Sequence, residues 1–154
     1  MLELFPDYIN SEFKEWKDFN GENFTWWSYV NMKSDLDVAL GFVKFFCPDI
    51  IIVEGCFLLK DRFFQDIYVD WKEKTDNNKN IIERMMNLYS LRDFFHINDC
   101  RNDYYTEKID ALGLSLKYFW NLSFKDRFPD KKINIEIIDE GLDDDIFITV
   151  YECD

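Results

Sequence analysis

Two stretches near the C-terminus alternate between apolar and polar residues, and this pattern constrains the fold more than any other feature. Three isoleucines mark the first stretch and three aliphatic residues mark the second, at Ile133, Ile135, Ile137, Ile146, Ile148 and Val150. A period of two is typical of a strand with one buried face. The segment 139–145 between them is rich in acids and contains Gly141, as expected of a turn. The pattern predicts a C-terminal antiparallel β-hairpin.

A second pair of β-rich runs lies at 50–53 and 56–59, on either side of Glu54-Gly55. Glycine is favoured in tight turns that need a positive φ, so this segment predicts a short hairpin. One continuous buried strand is the alternative that the residues leave open.

Helical periodicity fills most of the remaining chain. Ser34 is the expected N-cap of a helix that buries Leu36, Leu40 and Val43 on one face, with Ala39 and Phe46 beside it, and ends before Pro48. Further helices are expected at 63–71, at 81–89 and from about 102 to 125. Gly113 lies inside the last of these helices, where close packing against a neighbour explains it. The aromatic run 24–29 is predicted as an extended segment that covers the core.

These elements predict an α+β fold with several helices packed on a small antiparallel sheet and with a C-terminal β-hairpin. Apolar residues make up 47% of the 154 residues, which is enough to form one core. No Pro- or Gly-rich linker divides the chain, so residues 1–154 are predicted to form a single globular domain.

The net charge of −13 limits the possible partners. It opposes binding to nucleic acid and to anionic membranes, because both require clustered lysine and arginine, and it permits binding to a basic protein. The N-terminus lacks the basic and apolar regions of a signal peptide, and the four cysteines show no C-x-x-C spacing. We therefore expect a cytoplasmic protein with reduced thiols.

Motifs for catalysis or cofactor binding are missing from the sequence. His96 is the only histidine, which excludes multi-histidine zinc sites, and its spacing from Cys100 predicts no catalytic pair. The segment 139–145 has the composition of a calcium loop but not the ligand order. No nucleotide-binding or hydrolase motif occurs. The sequence predicts no catalytic residue, no metal site and no cofactor.

Acidic residues are concentrated in the last 22 residues, which carry eight acids and no lysine or arginine, and so −8 of the −13. Six of these acids are the candidate partner-binding residues: Glu136, Asp139, Glu140, Asp143, Asp144 and Asp145. A rigid hairpin would present them as an electrostatic docking surface for a basic partner. Solubility and protection of a sheet edge are the alternative explanation.

Several segments resemble a family of small, acidic, uncharacterised bacterial proteins. The resembling residues are Phe45-Phe46-Cys47-Pro48-Asp49 with Val53-Glu54-Gly55-Cys56, Leu114 through Trp120 to the Phe128-Pro129-Asp130 stop, and Thr149-Val150-Tyr151. The resemblance extends over about residues 26–152, and Phe46 stands where the family often has tryptophan. In size and acidity such proteins are similar to immunity proteins of bacterial toxin systems.

The resemblance implies a non-enzymatic protein-binding module that neutralises a basic, nuclease-type toxin by direct binding. Two alternatives remain at this point. One is a small enzyme that uses carboxylates in an aromatic pocket, and the other is an adaptor that self-associates through aromatic residues near Trp26 and Trp27. The sequence leaves the oligomeric state open.

Overall fold

The computed structural model describes residues 4–95, 97, 103–139 and 146–153. The helices of this part of the chain are α1 (Ser11–Asn20), α2 (Trp26–Lys33), α3 (Leu36–Phe46), α4 (Gln65–Lys74), α5 (Lys79–Met86) and α6 (Tyr105–Arg127). The strands are β1 (Ile50–Val53), β2 (Cys56–Leu59), β3 (Tyr89–Ser90), β4 (Ile133–Asp139) and β5 (Ile146–Glu152). Short 3₁₀ turns at Asp7–Ile9, Gly21–Asn23 and Lys60–Arg62 join these elements.

The predicted C-terminal hairpin is present and forms the larger sheet, in the strand order β3-β5-β4 with antiparallel pairing throughout. Its inner residues pack against α6 in the main core, where Leu116 and Trp120 meet Ile148 and Val150. The other face of β5 packs against α5, where the Thr149 hydroxyl donates to the Arg84 carbonyl at 2.7 Å. The α+β class predicted from the sequence is therefore confirmed.

The segment around Glu54-Gly55 is a hairpin, not one continuous strand. β1 and β2 pair antiparallel from Ile50 opposite Leu59 to Val53 opposite Cys56. The two turn residues have φ values of 48° and 85°. Two consecutive positive φ values define the turn that matches the twist of a two-residue hairpin, and glycine adopts the second without steric cost.

Two buried polar side chains of α5 and its C-cap join the two sheets. Glu83 accepts hydrogen bonds from the Phe57 amide of β2 at 2.7 Å and from the Glu152 amide of β5 at 2.6 Å. Asn87 accepts from the Leu59 amide and donates to the carbonyls of Phe57 and Val150, each at 2.8 Å. β3 pairs only with Phe147 and Ile148, so none of the described strands lies on that side of residues 149–152 of β5. The side chains of Glu83 and Asn87 bond to this edge in place of a strand.

α6 runs along the core, and Gly113 has the close packing predicted for it. A Cβ atom on Gly113 would lie 2.8 Å from Cδ1 of Leu91, a side chain that is fully buried. Asn102, the expected start of this helix, lies outside the described residues, and the helix continues to Arg127.

The aromatic run 24–29 was predicted to be extended, but only Phe24 and Thr25 are, and the helix α2 begins at Trp26. Thr25 caps α2 through a capping box with Ser28, which satisfies free amides at the helix start. The Trp26 ring stacks on the Phe13 ring with 3.8 Å between centroids, and its Nε1 donates to Asp7 at 2.9 Å. Tertiary packing and a local cap therefore override the β propensity of these aromatics.

The prediction for α3 was wrong in two respects. Asp35, not Ser34, is the N-cap, and its carboxylate accepts from the Val38 amide at 2.9 Å. The face expected in the core is also turned outward, because Phe45 and Phe46 provide the contact with the core instead. The end of α3 before Pro48 is as predicted.

Candidate partner-binding surface

The C-terminal hairpin gives the acidic segment a well-paired base. β4 and β5 pair along their whole length, from Ile133 opposite Glu152 to Asp139 opposite Ile146. Ile135, Ile148 and Val150 are buried, so one face of the hairpin is fixed in the core. Asp139 and Ile146 are the two ends of the acidic connection, and they lie side by side at the same end of the sheet.

The acids in the stem of the hairpin are bound to cations of the same chain. Glu136 forms an ion pair with Arg84 at 2.6 Å, and the Arg84 guanidinium lies 4.6 Å from the centre of the Tyr151 ring. Glu152 binds Lys79 at 2.6 Å and Lys131 at 2.8 Å. Hydrogen bonds from Lys131 and then Lys79 lower the pKa of the Glu152 carboxyl. These two charges are therefore paired within the fold and add little to an external field.

The two candidate acids that the structure describes, Glu136 and Asp139, do not share one face of the sheet. Glu136 is directed toward α5, where it meets Arg84. Asp139 is exposed at the end of β4 and has the strand phase of Ile135, whose side chain packs toward α6. The two described candidates are thus on opposite faces of the sheet. The other four candidates lie outside the described residues: Glu140, Asp143, Asp144 and Asp145.

A surface that the sequence prediction placed in the core is the outer face of α3. Leu36, Leu40 and Val43 are 73%, 57% and 60% exposed. The C-terminal end of the helix is anchored by aromatic contacts, since Phe45 packs on Phe94 at 4.5 Å and Phe46 on Phe119 at 5.2 Å between ring centroids. The rest of α3, residues 36–44, is exposed among the described residues, and an apolar helix surface of this kind often marks a contact site.

The sequence shows this outer face as a row of apolar residues at helical spacing. The same spacing is typical of a face buried in the core, so the pattern alone does not distinguish the two. The row is Leu36, Leu40 and Val43, whose members are spaced by four and three residues. Cys47 continues this spacing in the sequence, but it follows α3 with non-helical backbone, and its Sγ lies 3.1 Å from the Ser123 hydroxyl of α6. The run Phe45-Phe46 at the other phase was available as the competing core contact.

One aromatic cavity lies between the N-terminal helices and α6. It has a volume of about 240 Å³ and is lined mainly by apolar groups, among them Phe5, Ile9, Trp26, Phe46 and Leu112. Its polar lining comes from Asn10, Lys108 and Ser115, and none of its described lining residues is a carboxylate.

Within the described ranges, no three histidine, cysteine, aspartate or glutamate side chains are grouped to hold a metal ion. His96 and Cys100 lie outside those ranges. Each helix in the part of the chain that the structure describes is too short or too polar to cross a bilayer.

Comparison with known proteins adds no family to this geometry. No protein-family model, no curated protein and no solved structure matches the chain.

Proposed function

We propose that this protein is a non-enzymatic, acidic protein-binding module that binds a basic partner at the far end of its C-terminal hairpin. The observation that carries the proposal is the division of charge along the hairpin. The stem acids Glu136 and Glu152 are bound to Arg84, Lys79 and Lys131. The connection 139–145 carries five further acids and no lysine or arginine.

A concentrated negative charge on a paired stem is suited to capture of a positively charged protein. Such a charge accelerates encounter with a basic surface and rejects acidic proteins. The ladder from Ile133 to Asp139 fixes where the connection begins and ends, which limits the ordering that binding requires.

The resemblance to immunity proteins suggests the class of partner. We infer a cytoplasmic inhibitor that binds a basic, nuclease-type toxin and blocks its active site or its substrate surface. Nuclease toxins bind phosphate with lysine and arginine, so an acidic inhibitor can compete for the same groups.

Catalysis by carboxylates is less well supported. An enzyme of that kind needs facing carboxylates in a cleft, and the aromatic cavity has none among its described lining residues. Its polar groups are an amide, an ammonium and a hydroxyl, at Asn10, Lys108 and Ser115.

The test is co-expression of the full chain with the toxin encoded beside its gene. Wild-type protein should protect the cells, and the triple variant Asp143→Lys, Asp144→Lys, Asp145→Lys should not. In titrations with the purified toxin, we expect the triple variant to bind about tenfold to hundredfold more weakly, and the wild-type affinity to fall as salt is added.

A charge-matched control separates a local effect from a change in net charge. Asp66, Asp70 and Glu73 are exposed on α4, and their replacement by lysine changes the net charge by the same amount. This control should retain most of the affinity. Full protection by a folded Asp143–Asp145 triple variant would contradict the role proposed for the hairpin connection.

A further inference from the structure

The aromatic cavity between the N-terminal helices and α6 is large enough to hold a small molecule. Three half-buried rings, Phe5, Trp26 and Phe46, form much of its wall. Its volume of about 240 Å³ is far above the roughly 10–15 Å³ that one water molecule needs, and just below the about 300–1,000 Å³ of sites for drug-sized ligands. Protein interiors contain few voids larger than a water molecule, so a space of this size matches a ligand of one or two rings.

The aromatic walls of the cavity are held in place by contacts outside it. The Trp26 ring stacks on Phe13 at 3.8 Å between centroids, and its Nε1 donates to Asp7 at 2.9 Å. The Phe5 ring meets the edge of Trp26 at 5.8 Å, and Phe46 packs on Phe119 of α6 at 5.2 Å. A ligand therefore meets a preformed aromatic surface, which lowers the cost of ordering the site.

The polar groups that line the cavity favour a ligand that accepts hydrogen bonds. The Lys108 ammonium has donors and no acceptor, and the Ser115 hydroxyl can donate. Asn10 accepts from the Phe13 amide at 3.0 Å through its side-chain oxygen, so the amide NH₂ is the group that it can offer. None of the described lining residues is a carboxylate. This set of donors is complementary to an oxygen-rich head group.

The charge around the cavity limits the ligand to one negative charge. Lys108 is the one charged residue among the described lining residues, and it lies in the first turn of α6, where the helix dipole is positive. The nearby Asp7 carboxylate, which binds Trp26, is paired with Lys17 at 3.3 Å. The chain as a whole carries −13 and repels ligands with several negative charges.

We propose that the aromatic cavity is a binding site for a small aromatic monocarboxylate. The rings of the ligand pack against Trp26 and Phe46, and its carboxylate accepts from Lys108 and Ser115. This goes beyond the proposed function, because the cavity is a different part of the molecule and its ligand is not a protein.

Isothermal titration calorimetry of the full chain with 2-naphthoate tests the proposal, at about 0.15 M salt to screen the net charge. This two-ring carboxylate should bind with a dissociation constant of about 0.05–1 mM, as expected for a ligand of its size. The cation 2-naphthylmethylammonium has the same rings and the opposite charge, and it should bind at least about tenfold more weakly. The uncharged 2-naphthalenemethanol should lie between the two.

A variant that fills the cavity should lose binding. Ala111 is buried on α6 and lines the cavity, so Ala111→Phe places a ring in the space and should weaken 2-naphthoate binding by about tenfold or more. Leu114→Phe adds a ring at an exposed position of the same helix and should leave the affinity unchanged. Circular dichroism of both variants checks that they fold.

Replacement of Lys108 tests the charge of the ligand and remains informative if Ala111→Phe does not fold. Lys108→Met keeps the length of the side chain and removes its ammonium. It should weaken 2-naphthoate binding by about tenfold and leave 2-naphthalenemethanol within about twofold. Lys117→Met, at a lysine of α6 that does not line the cavity, should change neither affinity.

Three results would overturn the proposal. They are the absence of 2-naphthoate binding to folded wild-type protein, equal affinity for the cation, and full binding by a folded Ala111→Phe variant. Equal weakening of both probes by Lys108→Met would overturn the choice of a carboxylate. Replacing Asp143, Asp144 and Asp145 by lysine should weaken binding of the basic partner without reducing the affinity for 2-naphthoate, so the failure of either proposal is seen separately.

Discussion

Two regions depart from the usual distribution of residues in opposite directions. The first is the junction at α5, where Glu83 and Asn87 join the two sheets, and the second is the outer face of α3. At the junction a carboxylate and an amide, Glu83 and Asn87, are fully buried. On α3, Leu36 and Leu40 are exposed. The two regions differ in whether the described residues of the chain bind or cover these side chains.

Both buried polar side chains are saturated by the backbone around them. Glu83 and Asn87 make five hydrogen bonds to β2 and β5. Buried polar groups are tolerated when they are bonded, and they are costly when they are not. Leu36, Leu40 and Val43 of α3 are apolar and are not covered by any of the described residues.

Among the changes that test this comparison, removal of the Asn87 side chain should lower the free energy of unfolding the most. Asn87→Ala leaves the Leu59 amide and the carbonyls of Phe57 and Val150 without their partner, and we expect a loss of about 3–5 kcal/mol in the free energy of unfolding. Urea denaturation measures the loss.

Asn80→Ala is the matched control on the same helix. Asn80 makes one longer hydrogen bond, to the Glu152 carbonyl at 3.4 Å, and should cost less than about 1 kcal/mol. Equal losses for the two variants would show that the three hydrogen bonds of Asn87 contribute no more to stability than the single bond of Asn80.

Glu83→Gln should have a smaller effect that depends on pH. Burial raises the pKa of the Glu83 carboxyl, against the lowering by the Glu152 and Phe57 amides and Lys79. The folded protein therefore holds this proton more tightly than the unfolded chain. Stability contributed by Glu83 falls as pH rises above the usual glutamate range, and the Gln variant lacks this loss.

Unfolding of wild type and Glu83→Gln at about pH 5 and about pH 8 measures this difference. Glu152 has its pKa lowered by Lys131 and Lys79, so it stays ionised in the folded state of both proteins over this pH range. The wild type should lose stability relative to the variant on going to the higher pH. A constant difference would contradict the raised pKa.

Two glycines give the smallest effects, with opposite signs. Gly113→Ala places a Cβ 2.8 Å from Cδ1 of the buried Leu91 and should destabilise the protein by about 1–2 kcal/mol. Gly41→Ala, in open space within α3, should stabilise it by about 0.5–1 kcal/mol. Thermal unfolding at low concentration measures both. Destabilisation by Gly41→Ala would mean that α3 is more tightly packed than its exposure indicates.

The sequence predicted those parts of the fold that depend on short-range patterns. The alternation at Ile133–Asp139 and Ile146–Glu152 and the turn at Glu54-Gly55 are both found in the structure. These features are specified by neighbouring residues, whose period and turn chemistry do not need a tertiary partner.

Choices between competing faces were less predictable. α3 is apolar at both phases, and periodicity alone did not show that Phe45 and Phe46 would face the core instead of Leu36 and Leu40. In the candidate site, sequence counted Glu136 with the acidic segment, whereas its partner Arg84 is 52 residues away in the chain. Ion pairs between residues distant in the chain decide which charges remain available to a partner. These pairs cannot be read from the number of acids in a local segment.

The junction at α5 has a consequence for the behaviour of the chain in a crowded solution. An unpaired strand edge is a template for another β-strand and a starting point for aggregation. The outer edge of β2 and the part of β5 that β3 does not reach are two such edges, and the side chains of Glu83 and Asn87 occupy both. Two residues on a short helix thus protect both sheets against misassembly, without any additional strand.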